Sequence, residues 1–244
     1  MHLTLLGGGA ASGSGSEWSA DQKHPLGTLA FSNDGRWFRY AQAGALALVP
    51  GNLVQRPAAI ADHLAMTPPV VPIGATSFLV TPGATAGIAN YYAEGYLQVD
   101  TAPGNGYAYK VSGHPAIVAG TPFRLTLTPD DAIAVALTAI SRIGLHSNMY
   151  RGVIQTPATL TGPVVGGVVA PVAALQYGWL QTRGPFPALI VGTPAVNAPV
   201  ISSATVPGGA DVWTATAQPT ATAIGYMMQL GVGGKNNLVN LKID

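Results

Sequence analysis

Five histidines, His2, His24, His63, His114 and His146, are the chain's natural proton carriers and metal ligands. No two stand at the short spacings by which one element grips a metal ion, and the absence of cysteine removes thiolate sites, disulfides and Cys nucleophiles. His24 and His114 each precede proline, which favours extended or turn backbone and points to structural roles. Carboxylates are sparse, and only Asp130 and Asp131 adjoin. Neighbours in a strand face opposite sides, so that pair is a poor acid/base dyad. No serine sits in the Gly-x-Ser-x-Gly frame of a nucleophile elbow. The GVGGKNN segment lacks a phosphate loop's chemistry twice over: Asn236 follows Lys235 where Ser or Thr is needed, and Gln229 replaces the first glycine. No catalytic residue, cofactor or metal is therefore expected, and the chain reads as a non-enzyme.

What remains is contact chemistry. Trp18, Trp37, Trp179 and Trp213, with Tyr91, Tyr92, Tyr96, Tyr107 and Tyr109, suit either a sugar-binding groove or anchors of subunit contact, and the second use is the commoner. Arg36, Arg39, Arg124, Arg142, Arg151 and Arg183 fall mostly on predicted strands, where a guanidinium serves well in interface ion pairs. With so few acids in the chain, some of their partners are expected on another protein. The candidate interface residues are Trp18, Trp37, Arg39, Tyr96, Trp179 and Arg183.

Composition points the same way. The 244 residues are 48% hydrophobic and only 9% charged, far below the roughly 25% charged of an ordinary soluble domain. Mixed surface charge keeps monomers dispersed, so a charge-poor skin implies a protein that works packed against copies or partners. The formal net charge is +1 and no Lys/Arg run appears, so the footprint for nucleic acid is missing. The opening MHLTLL lacks a basic leader region, and no apolar span is long enough to cross a bilayer, so a chain made in the cytoplasm with no membrane partner is expected.

The elements that must carry these residues are strands. Asn33-Asp34-Gly35 and Asn105-Gly106 are residue types that tolerate the positive φ of tight hairpin turns. FRLTLTP alternates at period two, with Phe123, Leu125 and Leu127 on one face. PDDAIAVALTAIS is compatible with helix or strand, and its β surroundings favour strand. RPAAIADHLAM predicts one short helix over 57–66, opened by Pro57 and stopped by Thr67-Pro68-Pro69. The fold class is all-β, a barrel or sandwich of many short antiparallel strands. Three segments are expected: a Gly/Ser-rich arm over 1–25, flexible or bound to a partner; a hairpin plus helix over 26–67; and a main β domain over 68–244.

An aromatic-x-Gln triplet recurs at Tyr40-Ala41-Gln42, Tyr96-Leu97-Gln98 and Trp179-Leu180-Gln181, at irregular period. The last lies in QYGWLQTRGPFPALIVGTPAV, residues 176–196, which reads as a wall for stacking. Gln181 is expected on the same strand face as Trp179, and the prolines after it should make an edge that cannot pair freely.

Several stretches, GRWFRYAQAGALALVPGNLVQRPA, IGATSFLVTPGATAGIANYYAEGYLQV, SNMYRGVIQTPATLTGPVVGGVV, QYGWLQTRGPFPALIVGTPAV and GVGGKNNLVNLKID, together resemble a family of tailed-bacteriophage virion proteins, in matching order from about Pro25 to the C-terminus. The resemblance implies a head or capsid decoration (cement) protein on the outer capsid surface of the virion, partnered by the major capsid protein and by its own copies as a homotrimer. It supplies no catalytic set. A head fibre or adhesin binding host glycan, and a tail-tube or baseplate protein, are the alternatives. Residues 1–24 are expected to contact other chains, so their deletion should leave the β domain folded.

Overall fold

The computed structural model describes residues 3–5, 18–214 and 222–244. It is all-β and falls into two compact units: one from the segments up to Ala58 and from Met149 onward, the other from Ala59–Asn148. This replaces the boundaries expected at 25/26 and 67/68. The second unit is an insertion within the first, and the first draws its strands from both ends of the sequence.

Unit 1 opens with β1 (Thr4–Leu5), β2 (Leu29–Phe31), β3 (Trp37–Gln42) and β4 (Leu53–Gln55). Unit 2 holds β5 (Ser77–Val80), β6 (Tyr96–Thr101), β7 (Ala108–Gly113), β8 (Phe123–Leu127) and β9 (Arg142–His146). Unit 1 resumes with β10 (Ile154–Gln155), β11 (Val164–Val168), β12 (Tyr177–Ile190), β13 (Pro199–Ser202), β14 (Ala210–Val212), β15 (Gly225–Met227) and β16 (Lys235–Lys242).

The spine of unit 1 is β12. Its first half pairs antiparallel with β3, Trp179 opposite Tyr40 and Tyr177 opposite Gln42, so two of the recurring aromatic-x-Gln triplets are partners in one ladder. The register shifts between Gln181 and Arg183, and the second half pairs with β16 over eight positions, Arg183 opposite Lys242 to Ile190 opposite Lys235. The pairings β12–β14, β14–β13, β13–β15, β15–β16 and β16–β12 form a ring, a small five-stranded barrel without free edges. Phe186, Ala188, Ile190, Val200, Ala210, Met227, Val239 and Leu241 belong to its apolar core.

The prolines of β12 do not make an unpaired edge. The Leu189 N–H donates to the Gly51 carbonyl at 2.9 Å, on the side away from β16. Backbone N–H groups alternate direction along a strand, so positions 185 and 187 share that phase and owe no hydrogen bond to β16. Pro185 and Pro187 therefore fit a central strand. Gln181 spans the register shift: its fully buried amide donates to the carbonyls of Arg183 and Pro185 at 3.1 and 2.8 Å.

Unit 2 is an open sheet in the order β5-β8-β7-β6-β9 over one core that includes Leu97, Val99, Leu125, Leu127, Ile133, Leu137, Ile143 and Leu145. Both expected hairpins form, β2–β3 with Gly35 at φ +83 and β6–β7 with Gly106 at φ +86. Strand β8 buries Phe123, Leu125 and Leu127 as its alternation predicts.

The helix expected over 57–66 is a single 3-10 turn, Ala61–His63. Ile60 and Leu64 are extended on either side, and Met66 is drawn into a two-way bridge with Ile143 at 2.8 and 2.9 Å, so tertiary pairing overrides helix propensity. The strand expected in PDDAIAVALTAIS is an irregular segment, joined to the irregular stretch before β5 by the bridge of Leu137 with Val71 and by bonds of Ile133 with Gly74 and Ala75. Of the 1–25 arm, residues 1–2 and 6–17 lie outside the described residues. The rest packs on its own chain: Thr4 pairs with Phe31 and Leu5 with Ala30, Leu3 is buried with Phe38, Tyr40 and Trp179, and Ser19 bridges Tyr177. Deleting 1–24 thus removes core side chains, contrary to the expectation that the β domain would be unaffected.

Candidate functional site

The six candidate contact residues separate into different environments. Trp179 is fully buried, its ring 5.1 Å from Tyr40 and 5.5 Å from His24, so it is core and presents nothing to a partner. Trp18 is half-buried, laid on Gly178 so closely that a Cβ there would clash with its indole. Arg39 is engaged within the chain, donating to Asp244 at 2.9 Å and to the Gly27 carbonyl at 2.9 Å. Trp37 and Arg183 do come together, the guanidinium 4.7 Å from the ring centroid, where the β12 register shift sets them opposite one another. Arg183 is exposed and Trp37 half-buried, so this is a surface pair. Tyr96, in unit 2, is 49% exposed on the outer sheet face between Lys110 and His146.

Arginines expected to seek partners elsewhere are largely occupied at home. Arg36 holds Asp34 at 2.7 Å in the β2–β3 turn, and that ion pair with the Ser32 hydroxyl keeps the Asp34 carboxyl far below the usual carboxylate range. Arg142 donates to the carbonyls of Ala139 and Ser141, and Arg124 to the Ser77 hydroxyl. The Tyr150 phenol is pushed up to about 12, first by burial and then by the Asp244 carboxylate beside it.

Sequence reasoning missed a recurring turn. Three antiparallel bridges, Leu48 with Val172, Val71 with Leu137 and Gly87 with Ile117, are each closed by two reciprocal backbone hydrogen bonds of 2.8 to 3.2 Å. Three residues after five of these six positions comes a residue with positive φ: Gly51, Gly74, Asn90, Gly120 and Leu175. The bridge buries one side chain and the turn lifts its neighbours outward. Leu46, Val70, Ile73, Ile88, Val118, Ile140 and Leu175, all beside these turns, are 60 to 77% exposed. The signal was present as aliphatic residues set against Gly, Pro or Asn, as in VVPIGA and GIAN, where strand alternation breaks off.

The cavities carry little chemistry. One of about 340 Å³ in unit 1 is walled by Leu160, Val164, Ile201, Ile224 and Ile243, with Lys242 as its charged group, and Lys242 lies 5.0 Å over the Tyr226 ring. One of about 430 Å³ in unit 2 has Asp62 as its carboxylate, which accepts a 2.5 Å bond from the Thr85 hydroxyl. Among the described residues no three His, Cys, Asp or Glu side chains gather as a metal site, and no helix is long and apolar enough to cross a membrane. No family model, curated protein or solved structure matches the chain.

Proposed function

We propose that the chain is a structural virion protein of a tailed bacteriophage, a decoration protein that seats on the outer capsid lattice, contacts the major capsid protein and its own copies as a homotrimer, and stabilises the head without chemistry. The observation that carries this reading is the set of aliphatic side chains held in solvent on bridged turns of both units. A charge-poor β protein with such turns is suited to burial against neighbours: a contact of roughly 1,600 Å² at about 25 cal/mol per Å² of apolar area gives useful adhesion even after ordering costs. Repetition over adjacent lattice sites adds effective concentration to each contact.

A glycan-binding role is favoured by one observation, the exposed Tyr96 flanked by Lys110 and His146; the tryptophans, which such a role would place outermost, are buried or half-buried among the described residues. Co-sedimentation of the purified protein with expanded heads stripped of accessory proteins tests the proposal. Saturable, stoichiometric binding at capsid lattice positions is expected, and a protein that stays in the supernatant at all concentrations refutes it.

A further inference from the structure

Three loops of unit 2 meet around a chain of rings: His63 from the 3-10 turn, Tyr92 from the segment before β6, and His114 just after β7. All three are essentially removed from solvent, at 0, 1 and 6% exposure. The Tyr92 backbone N–H donates to His114 Nε2 at 3.0 Å, and His114 Nδ1 lies 2.7 Å from the Pro115 carbonyl. An N–H can only donate and a carbonyl can only accept, so His114 must be neutral, with its proton on Nδ1. At the far end His63 Nε2 donates to the Thr85 carbonyl at 2.9 Å, leaving Nδ1 to accept from the Tyr92 hydroxyl at 2.5 Å. The His114 backbone N–H also donates to Asn90 Oδ1 at 3.0 Å and its carbonyl accepts from the Asn90 N–H at 3.0 Å, so the Tyr92 segment and the loop after β7 share two further bonds that do not involve the ring.

We propose that His114 is an acid-released latch: while neutral its ring fastens the Tyr92 segment, and through the Tyr92 hydroxyl the 3-10 turn, to the loop after β7, and protonation at Nε2 loosens that joint. A proton there would face the fixed Tyr92 N–H, donor against donor, in a site too buried for water to compensate. His63 differs, because the Tyr92 hydroxyl can turn to accept from it, whereas a backbone amide cannot reverse. The titratable and charged groups around the latch are Tyr92, Tyr91 meeting it edge-on at 5.0 Å between ring centroids, His63, and Asp62, whose carboxylate is held by the Thr85 hydroxyl. Phe123 and Tyr92 pack against the His114 ring, at 5.6 and 5.5 Å between ring centroids.

The open state binds one more proton than the closed state below the ordinary imidazole value of about 6.5, so the opening equilibrium rises about tenfold per pH unit below about 6. Hydrogen exchange of the β6 and β7 amides, corrected for intrinsic rates, should show that slope between pH 6 and 4.5 in the whole protein. His114→Gln offers an oxygen to the Tyr92 N–H and has no proton to gain, so it should flatten the slope. An equal slope in the variant overturns the proposal. Should the variant fail to fold, the imidazole signals of the wild-type protein decide: His114 staying neutral until β6–β7 protection is lost supports the latch, and its titration near 6.5 with protection intact refutes it.

Discussion

The two units pin their loops with different chemistry. In unit 1 the buried polar pins are carboxamides and the hydroxyls of Thr156 and Ser203. Gln181 spans the β12 register shift, Asn237 closes the turn before β16 by donating to the carbonyls of Val232 and Lys235 at 2.9 and 2.8 Å, and Gln55 exchanges bonds with Thr161. In unit 2 rings take a large share, His63, His114 and Tyr92, with the Tyr109 hydroxyl accepting from the Ala134 N–H at 3.1 Å, beside the hydroxyl of Ser141 and the amide of Asn90. Carboxamides donate and accept at any pH, whereas imidazoles must be neutral to do both. The closed barrel of unit 1 also leaves no edge to fray, while the open sheet of unit 2 ends in β5 and β9 and leans on its loops. One unit closes on itself as a barrel, and the other adds titratable rings to its loop pins.

The largest test of that contrast is Phe186→Ala. The ring is fully buried in the barrel and lies so close against Gly167 that a Cβ there would clash with it, so truncation leaves a cavity that the ring of strands cannot easily collapse. A loss of about 3–5 kcal/mol is expected, read as faster exchange of the β16 amides with β6–β7 protection unchanged. Equal loss in both sets would show that the units unfold as one body.

Smaller, and confined to alkali, is the effect of Tyr150. Its folded value of about 12 exceeds the unfolded value near 10, so the neutral phenol's contribution is complete below pH 10 and disappears as pH rises towards 12. Within that window the unfolded chain holds fewer protons than the folded one, and unit 1 loses up to about 1.4 kcal/mol per pH unit. Denaturant midpoints of wild type and Tyr150→Phe should diverge above pH 10 and run parallel below it. In acid, unit 1 has His24, lowered by burial yet only half-buried, whose stabilisation is present above about 6.5 and fades as pH falls; the effect is slight beside that of the unit 2 latch.

The strands and hairpins were legible in the sequence because they are local: Asn33-Asp34-Gly35 and Asn105-Gly106 carry their turn chemistry with them, and the β8 alternation needs no partner to be read. Four features were not. The barrel depends on β12 changing partners at Gln181, and nothing in GWLQTRGPFP announces that Pro185 and Pro187 face away from β16. The insertion at 59–148 carries no linker composition at its borders. Arg39 was read as seeking an external acid because its partner, Asp244, lies 205 residues away. As for Trp179, residue type alone cannot tell a core indole from an interface one; burial on both faces of β12 decides it.

The smallest expected effect on folding is also the sharpest for function. Val70, Ile73 and Ile140 flank the Val71–Leu137 bridge at 76, 69 and 71% exposure, so their replacement together by serine removes almost no buried surface. Stability should stay within about 0.5 kcal/mol per site of the wild type. If these side chains are buried against a neighbouring subunit, as proposed, the same change removes apolar area from every contact and retention on heads should fall at least tenfold in co-sedimentation. Unchanged retention with unchanged stability would mean that the bridged turns of unit 2 are not the adhesive surface, and would leave the turns of unit 1, around Leu46 and Leu175, to carry it.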